Sequence, residues 1–197
     1  MTGLARLASL PRDTRGITIV EFAMVAPVMI LLIMGLGELM YTVYAQSVLS
    51  GAVQKAARDS AIQGGGDRAV DIDALVMEQV HAVAPRATHV SSRASYHNFA
   101  SVRPERFTDS NGNGVRDPGE CFDDINNNSR WDVDPGIASQ GGASDVTRYR
   151  IRVTYPRPFP VAQLLGWEKN ATMTAETLIK NQPYATQATQ IVRTICT

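Results

Sequence analysis

Arg15-Gly16-Ile17-Thr18-Ile19-Val20-Glu21-Phe22-Ala23 is the stretch that decides the architecture. Ahead of it, residues 1–16 carry Arg6, Arg12 and Arg15 against the single acid Asp13. Such a cationic leader is expected to stay in the cytoplasm, because basic residues flank the inner end of a membrane helix. Behind it, the sixteen residues Phe22 to Gly37 hold no charge. At ~1.5 Å per residue they span roughly 24 Å, short of a ~30 Å hydrocarbon core. Counting Ile17 to Tyr44 as the inserted unit gives ample length, with Tyr41 and Tyr44 at the outer interface. Glu21 then stands inside the bilayer, where an acid is costly and read as functional. A cleaved secretory signal would share the basic start and apolar core. It fits less well, since the segment is long, holds Glu21, and shows no small-x-small site before Tyr41. The reading is a single pass, N-terminus inside, with the rest extracytoplasmic.

At 197 residues the chain is one modest globular domain plus extras. Lys plus Arg and Asp plus Glu number 19 each, so no net charge favours nucleic acid. Cys121 and Cys196 both follow the apolar segment, in a compartment that permits a disulfide; spacing alone leaves two unpaired thiols equally open.

After Tyr44 polarity rises, yet Ala45, Leu49, Ala52 and Ala56 keep helical spacing until Gly64-Gly65-Gly66. Residues 17–63 thus read as one transmembrane and stem helix, and 64–197 as the head. In the head, Ile72, Leu75, Val76, Val80 and Val83 mark the apolar face of a second helix, with Asp67 or Asp71 as candidate cap and Pro85 as its end. Residues 87–99 read as a weak strand. Arg148 to Tyr155 alternates polar and apolar strictly, as a strand with one wet face requires. Its arginines fit a solvated face better than a lipid or phosphate surface. Pro156, Pro158 and Pro160 make an extended link, Val161 to Trp167 a turn of helix, and Ala171 to Lys180 another strand. The fold class expected is α+β, with a small antiparallel sheet laid against the exposed part of a long helix.

Residues 107–136 form an acidic loop: seven acids against Arg116 and Arg130, with Asn and Gly between. Asp109, Asn111 and Asn113 occupy positions 1, 3 and 5 of a twelve-residue calcium loop. Gly114 takes the turn at 6, the Val115 carbonyl falls at 7, Asp117 at 9 and Glu120 at 12. Calcium needs six to eight hard oxygens, and this order supplies them from one segment. Asp124, Asn126, Asn128, the Arg130 carbonyl and Asp132 repeat the pattern, but Ser129 stands at position 6 and Pro135 at 12. The second copy therefore lacks the bidentate acid and should bind more weakly. The plain alternative for both is a polar turn region, since Asp, Asn and Gly also build turns. No helix pattern flanks the loop. His81, His89 and His97 make no metal motif, and no nucleophile or phosphate-loop signature occurs, so the chain does not read as an enzyme.

Gly16-Ile17-Thr18-Ile19-Val20-Glu21-Phe22 resembles a class III, type IV-like prepilin processing site. The longer segment Gly16 to Gln63, with Glu21-Phe22-Ala23 and Pro27, resembles the TadE-like family, pseudopilins of the tight-adherence (Flp) pilus system. Lys180-Asn181-Gln182-Pro183-Tyr184 resembles the close of that family's domain, with Lys and Gln where Arg and Glu are usual. The resemblance implies cleavage between Gly16 and Ile17 by a prepilin peptidase. It implies pairing of Glu21 with a neighbour's new amine at Ile17, and a minor-pilin role with other pilins and the inner-membrane assembly platform. The alternative is an unprocessed, permanently anchored calcium-binding surface or adhesion protein.

Overall fold

The computed structural model describes residues 17–60, 69–183, 185–187 and 189–197, with no side-chain detail at 17, 18, 60 or 69–71. The leader 1–16 with Gly16, the Gly64–Gly66 stop and the Asp67 cap lie outside the described residues, as does the Asp71 side chain. In chain order the elements are α1 (Ile17–Ser60), α2 (Ala69–Val83), β1 (Thr88–Tyr96), β2 (Cys121–Asp124), β3 (Val146–Pro156), α3 (Val161–Leu164), β4 (Asn170–Lys180) and β5 (Arg193–Cys196). This is the α+β layout expected: a long apolar helix followed by a small antiparallel sheet.

The chain divides into two compact units. One comprises the described residues through Val43 together with Arg157–Lys169. Here α1 turns large apolar side chains outward on every side, with Phe22 70%, Met24 77% and Leu32 62% exposed. A helix apolar all round is stable only in an apolar medium. Among the described residues it is the one helix long and apolar enough to cross a membrane.

The other unit is Tyr44–Pro156 with Asn170–Thr197. Here α1 buries Ala45, Leu49, Ala52, Val53 and Ala56. Gln46 donates to the Thr174 carbonyl of β4 at 3.1 Å, so the stem and the sheet meet as expected. Helix α2 buries Ile72, Val76, Met77 and Val80, while Leu75 is 48% exposed. The expected face was therefore rotated by part of a turn: Met77 takes the place assigned to Leu75. Asp73 sets this rotation. Its carboxylate accepts from Ser91 Oγ at 2.6 Å, Arg93 Nη2 at 2.7 Å and Tyr149 Oη at 2.6 Å, tying α2 to β1 and β3.

Strand β3 is central, antiparallel to β1 and to β4. Its alternation holds: Tyr149, Ile151, Val153 and Tyr155 are buried, while Arg150 and Arg152 are exposed. The arginines of the wet face pair locally, Arg150 with Glu176 at 2.5 Å and Arg148 with Asp134. The acidic segment and the C-terminal tail show no strand pattern in sequence, yet β2 and β5 pair there as a separate two-stranded sheet.

Candidate functional site

Two regions carry the residues singled out by the sequence. In the first unit, Ile17 opens α1 and Glu21 is exposed on its early turns. Glu38, which the sequence marked only as the end of the uncharged run, is 7% exposed and meets Arg157 (Oε1 to Nη1, 2.5 Å). Nothing in the local pattern of either residue signals a pairing across 119 positions.

The second region is the acidic segment. Asp109 Oδ1 accepts from the amides of Gly112 (2.7 Å) and Asn113 (3.2 Å), and Oδ2 from Gly114 (2.7 Å). These bonds wrap the chain around position 1. The side-chain Nδ2 groups of Asn111 and Asn113 both donate to Asp117 Oδ2, at 2.7 and 2.8 Å. Glu120 closes the loop: Oε1 accepts from Ser110 N at 2.7 Å and Oε2 from Asp117 N at 3.0 Å. The Gly114 amide bond is the largest influence on Asp109, and with its companions holds that carboxyl below the usual range.

The second loop repeats most of these bonds. Asp124 accepts from Asn128 N (3.2 Å) and Ser129 N (2.9 Å). Asn126 and Asn128 reach Asp132 Oδ2 at 2.8 and 2.6 Å. Positive φ at Gly112 (75°) and Gly114 (76°) is matched by Asn127 (60°), a residue that tolerates this region, and by Ser129 (62°), which takes the place of glycine at a strain of about 1–2 kcal/mol.

Pro135 stands twelfth in this loop, and a glutamate from upstream bonds to the loop instead. Glu105 Oε1 accepts from Ile125 N at 2.7 Å and Oε2 from Asp132 N at 2.9 Å, the two bonds that Glu120 makes in the first loop. Glu105 is 1% exposed. Burial, with the nearby charges of Asp132 and Asp124, raises its carboxyl above the ordinary value despite those two amides.

A local two-fold relation explains the substitution. Glu105-Arg106-Phe107-Thr108-Asp109 and Glu120-Cys121-Phe122-Asp123-Asp124 begin two fifteen-residue repeats. Phe107 and Phe122 form an antiparallel bridge. Across it Thr108 N donates to Cys121 O at 2.8 Å and Asp123 N to Arg106 O at 2.9 Å. Each loop is thus closed by the first glutamate of the other repeat. The sequence carries this relation as a fifteen-residue period, which sets Glu105 upstream of its loop and Glu120 downstream of its own.

Strand β2 joins β5 through a disulfide between Cys121 and Cys196. Next to it Gly119 N donates to Thr197 O at 2.7 Å. Arg116 reaches the same oxygen at 2.6 Å and covers the Phe122 ring at 5.2 Å. Among the described residues no group of three Asp, Glu, His or Cys side chains is disposed to hold a metal ion. A cation would therefore depend on the asparagine and backbone oxygens that the pattern assigns at positions 3, 5 and 7.

A long outward-apolar helix followed by a small sheet defines an α+β chain with one candidate membrane anchor among the described residues. Residues 16–58 of that chain match the family model described as TadE-like protein. The likeness read from the stem holds over this segment, and the head lies beyond it. No curated protein and no solved structure matches the chain.

Proposed function

We propose that the chain is a TadE-like pseudopilin of the Tad pilus system. In this reading α1 anchors it in the bacterial inner membrane, N-terminus inside and head periplasmic. Prepilin peptidase cuts between Gly16 and Ile17, and the processed chain enters a pilus as primer, tip or support. The carrying observation is the outward-apolar α1 with Glu21 one turn from its start, inside the segment that matches the family. An acid and a new amine gain from pairing in low dielectric, so Glu21 can transfer the anchor from lipid to a neighbouring pilin. The role is structural rather than catalytic. Mass spectrometry of membrane-extracted protein tests it: the mature form should lack the sixteen-residue leader, and an intact leader in cells holding the peptidase overturns it. A permanently anchored adhesion protein would keep the leader and fail to crosslink to pilus components.

The head takes calcium as a structural ion in this reading, at Asp109, Asn111, Asn113, Val115, Asp117 and Glu120. A second ion sits at Asp124, Asn126, Asn128, Arg130 and Asp132, with Glu105 as closing acid. Two loops of matched turns and hydrogen bonds support it, with asparagine and backbone oxygens at positions 3, 5 and 7 supplying much of the hard-oxygen set that calcium needs. Asp109→Ala and Glu120→Ala should lower the melting temperature and blunt the response to a chelator. An unchanged response in both leaves the loops plain turns.

A further inference from the structure

The segment Arg157–Lys169 belongs to the same compact unit as the apolar part of α1. Its charges stand only at its ends, Arg157, Glu168 and Lys169; the ten residues Pro158 to Trp167 carry none. The ends are fastened together, with Arg157 N donating to Lys169 O at 3.0 Å and Arg157 Nε to Glu168 O at 3.1 Å. Arg157 pairs with Glu38, Phe159 lies against Gly37, and Val161 and Leu164 face Val28, Leu31, Leu32 and Leu36 across an apolar groove of about 520 Å³. From Glu38 back to Val28 is ten residues of α1, or about 15 Å. The segment therefore descends along half the thickness of a ~30 Å hydrocarbon core.

Its outer surface is as apolar as the helix it follows. Leu164 is 70%, Leu165 61% and Trp167 61% exposed, in line with the outward residues of α1. Much of its backbone is satisfied internally. Pro158 and Pro160 bring no N–H, and the amides of Gln163, Leu164, Leu165, Gly166 and Trp167 all donate within the segment, at 2.8 to 3.2 Å. Non-helical backbone at membrane depth requires this kind of internal satisfaction. A solvent loop has no need of it and would not present two leucines and a tryptophan to water.

We propose that residues 158–167 are a second membrane-inserted element, dipping into the periplasmic leaflet beside α1, with Leu164, Leu165 and the groove covered by phospholipid acyl chains. The Glu38–Arg157 pair, joined through Oε1 and Nη1, marks the upper edge where the segment enters. This rests on the reading that α1 crosses the bilayer.

The test reconstitutes the full chain in phosphatidylcholine vesicles with and without acyl-chain bromines, which quench tryptophan on contact. The chain has two tryptophans, Trp131 and Trp167, and Trp167→Phe isolates the share of the second. The Trp167 share should lose most of its emission in brominated vesicles, and Trp167→Phe should lose none. Met29→Trp in the Trp167→Phe background reports on α1 itself. Quenching of Met29→Trp without quenching of Trp167 overturns the inserted segment and leaves the anchor standing. Quenching of neither overturns both. A Trp167 emission that is blue-shifted yet unquenched, and that reddens as the chain is diluted in lipid, assigns the face to a second copy and overturns the lipid assignment.

Discussion

Glu105→Gln separates a cross-closed pair of calcium loops from a pair of ordinary turns. The substitution keeps size and one acceptor oxygen. It replaces the other oxygen with an amide nitrogen, so one of the two backbone amides at Ile125 and Asp132 loses its acceptor. A buried unsatisfied amide costs roughly 1–3 kcal/mol. Against this, a negative charge is removed from beside Asp124 and Asp132, so calcium-free stability moves little. The calcium increment is the decisive quantity. A site filled at a hundred times its Kd adds ~2.7 kcal/mol to unfolding, and two such sites add ~5.4 kcal/mol. With the bidentate acid gone from loop two, Glu105→Gln should keep ~2.7 kcal/mol or less of that increment. Glu120→Gln should do the same from loop one. Urea unfolding of the full chain in detergent with calcium and with chelator, followed by Trp131 emission, reads the increment, and calorimetry counts the ions. Retention of the whole increment and of two ions in Glu105→Gln would refute the argument that this residue closes the second loop.

Asp73→Ala should destabilise the chain by roughly 3 kcal/mol in urea, the low end for breaking a buried pair, because Arg93 and Asp73 keep 14% and 15% exposure. Burial pushes the Asp73 carboxyl up, but the bonds from Ser91, Tyr149 and Arg93 outweigh it and leave the group below its ordinary 3.8. Its contribution is then present above pH 3.8 and lost as pH falls through the lower folded value; Asp73→Asn should flatten that acid limb in a pH series of melts. Cys121→Ser releases a link between residues 75 apart, worth roughly 4 kcal/mol by loop entropy, and reductant should lower the wild-type melting temperature equally while leaving the variant unmoved. Glu21→Gln should still be cleaved after Gly16 by mass, yet lose crosslinks to neighbouring pilins.

Legibility followed the range of the interaction. The alternation of Tyr149, Ile151, Val153 and Tyr155 is a local pattern, so β3 could be read directly, and so could the outward-apolar stretch of α1. Strand β2 has only four residues inside a run of turn formers, and its partner β5 is far away in a polar tail, so neither leaves a local period. The rotation of α2 toward Met77 depends on where Ser91, Arg93 and Tyr149 present hydrogen-bond donors to Asp73, which no helical wheel contains. The hydrogen-bonded turns of each calcium-like loop were legible because they join residues at short, fixed spacing. Glu105 was not, because its loop begins nineteen residues later and is reached through the Phe107–Phe122 bridge.

The two-fold exchange of glutamates also limits how this segment can change length. Removing residues 105–119 leaves the loop that starts at Asp124, with Pro135 twelfth. Removing residues 120–134 leaves the loop that starts at Asp109, and joins Pro135 to the same twelfth place. Either excision, though in register, yields a single loop with proline at the place where the proposed calcium site needs an acid. The repeat therefore tolerates loss only as a whole, and a shortened head would lose both loops rather than one.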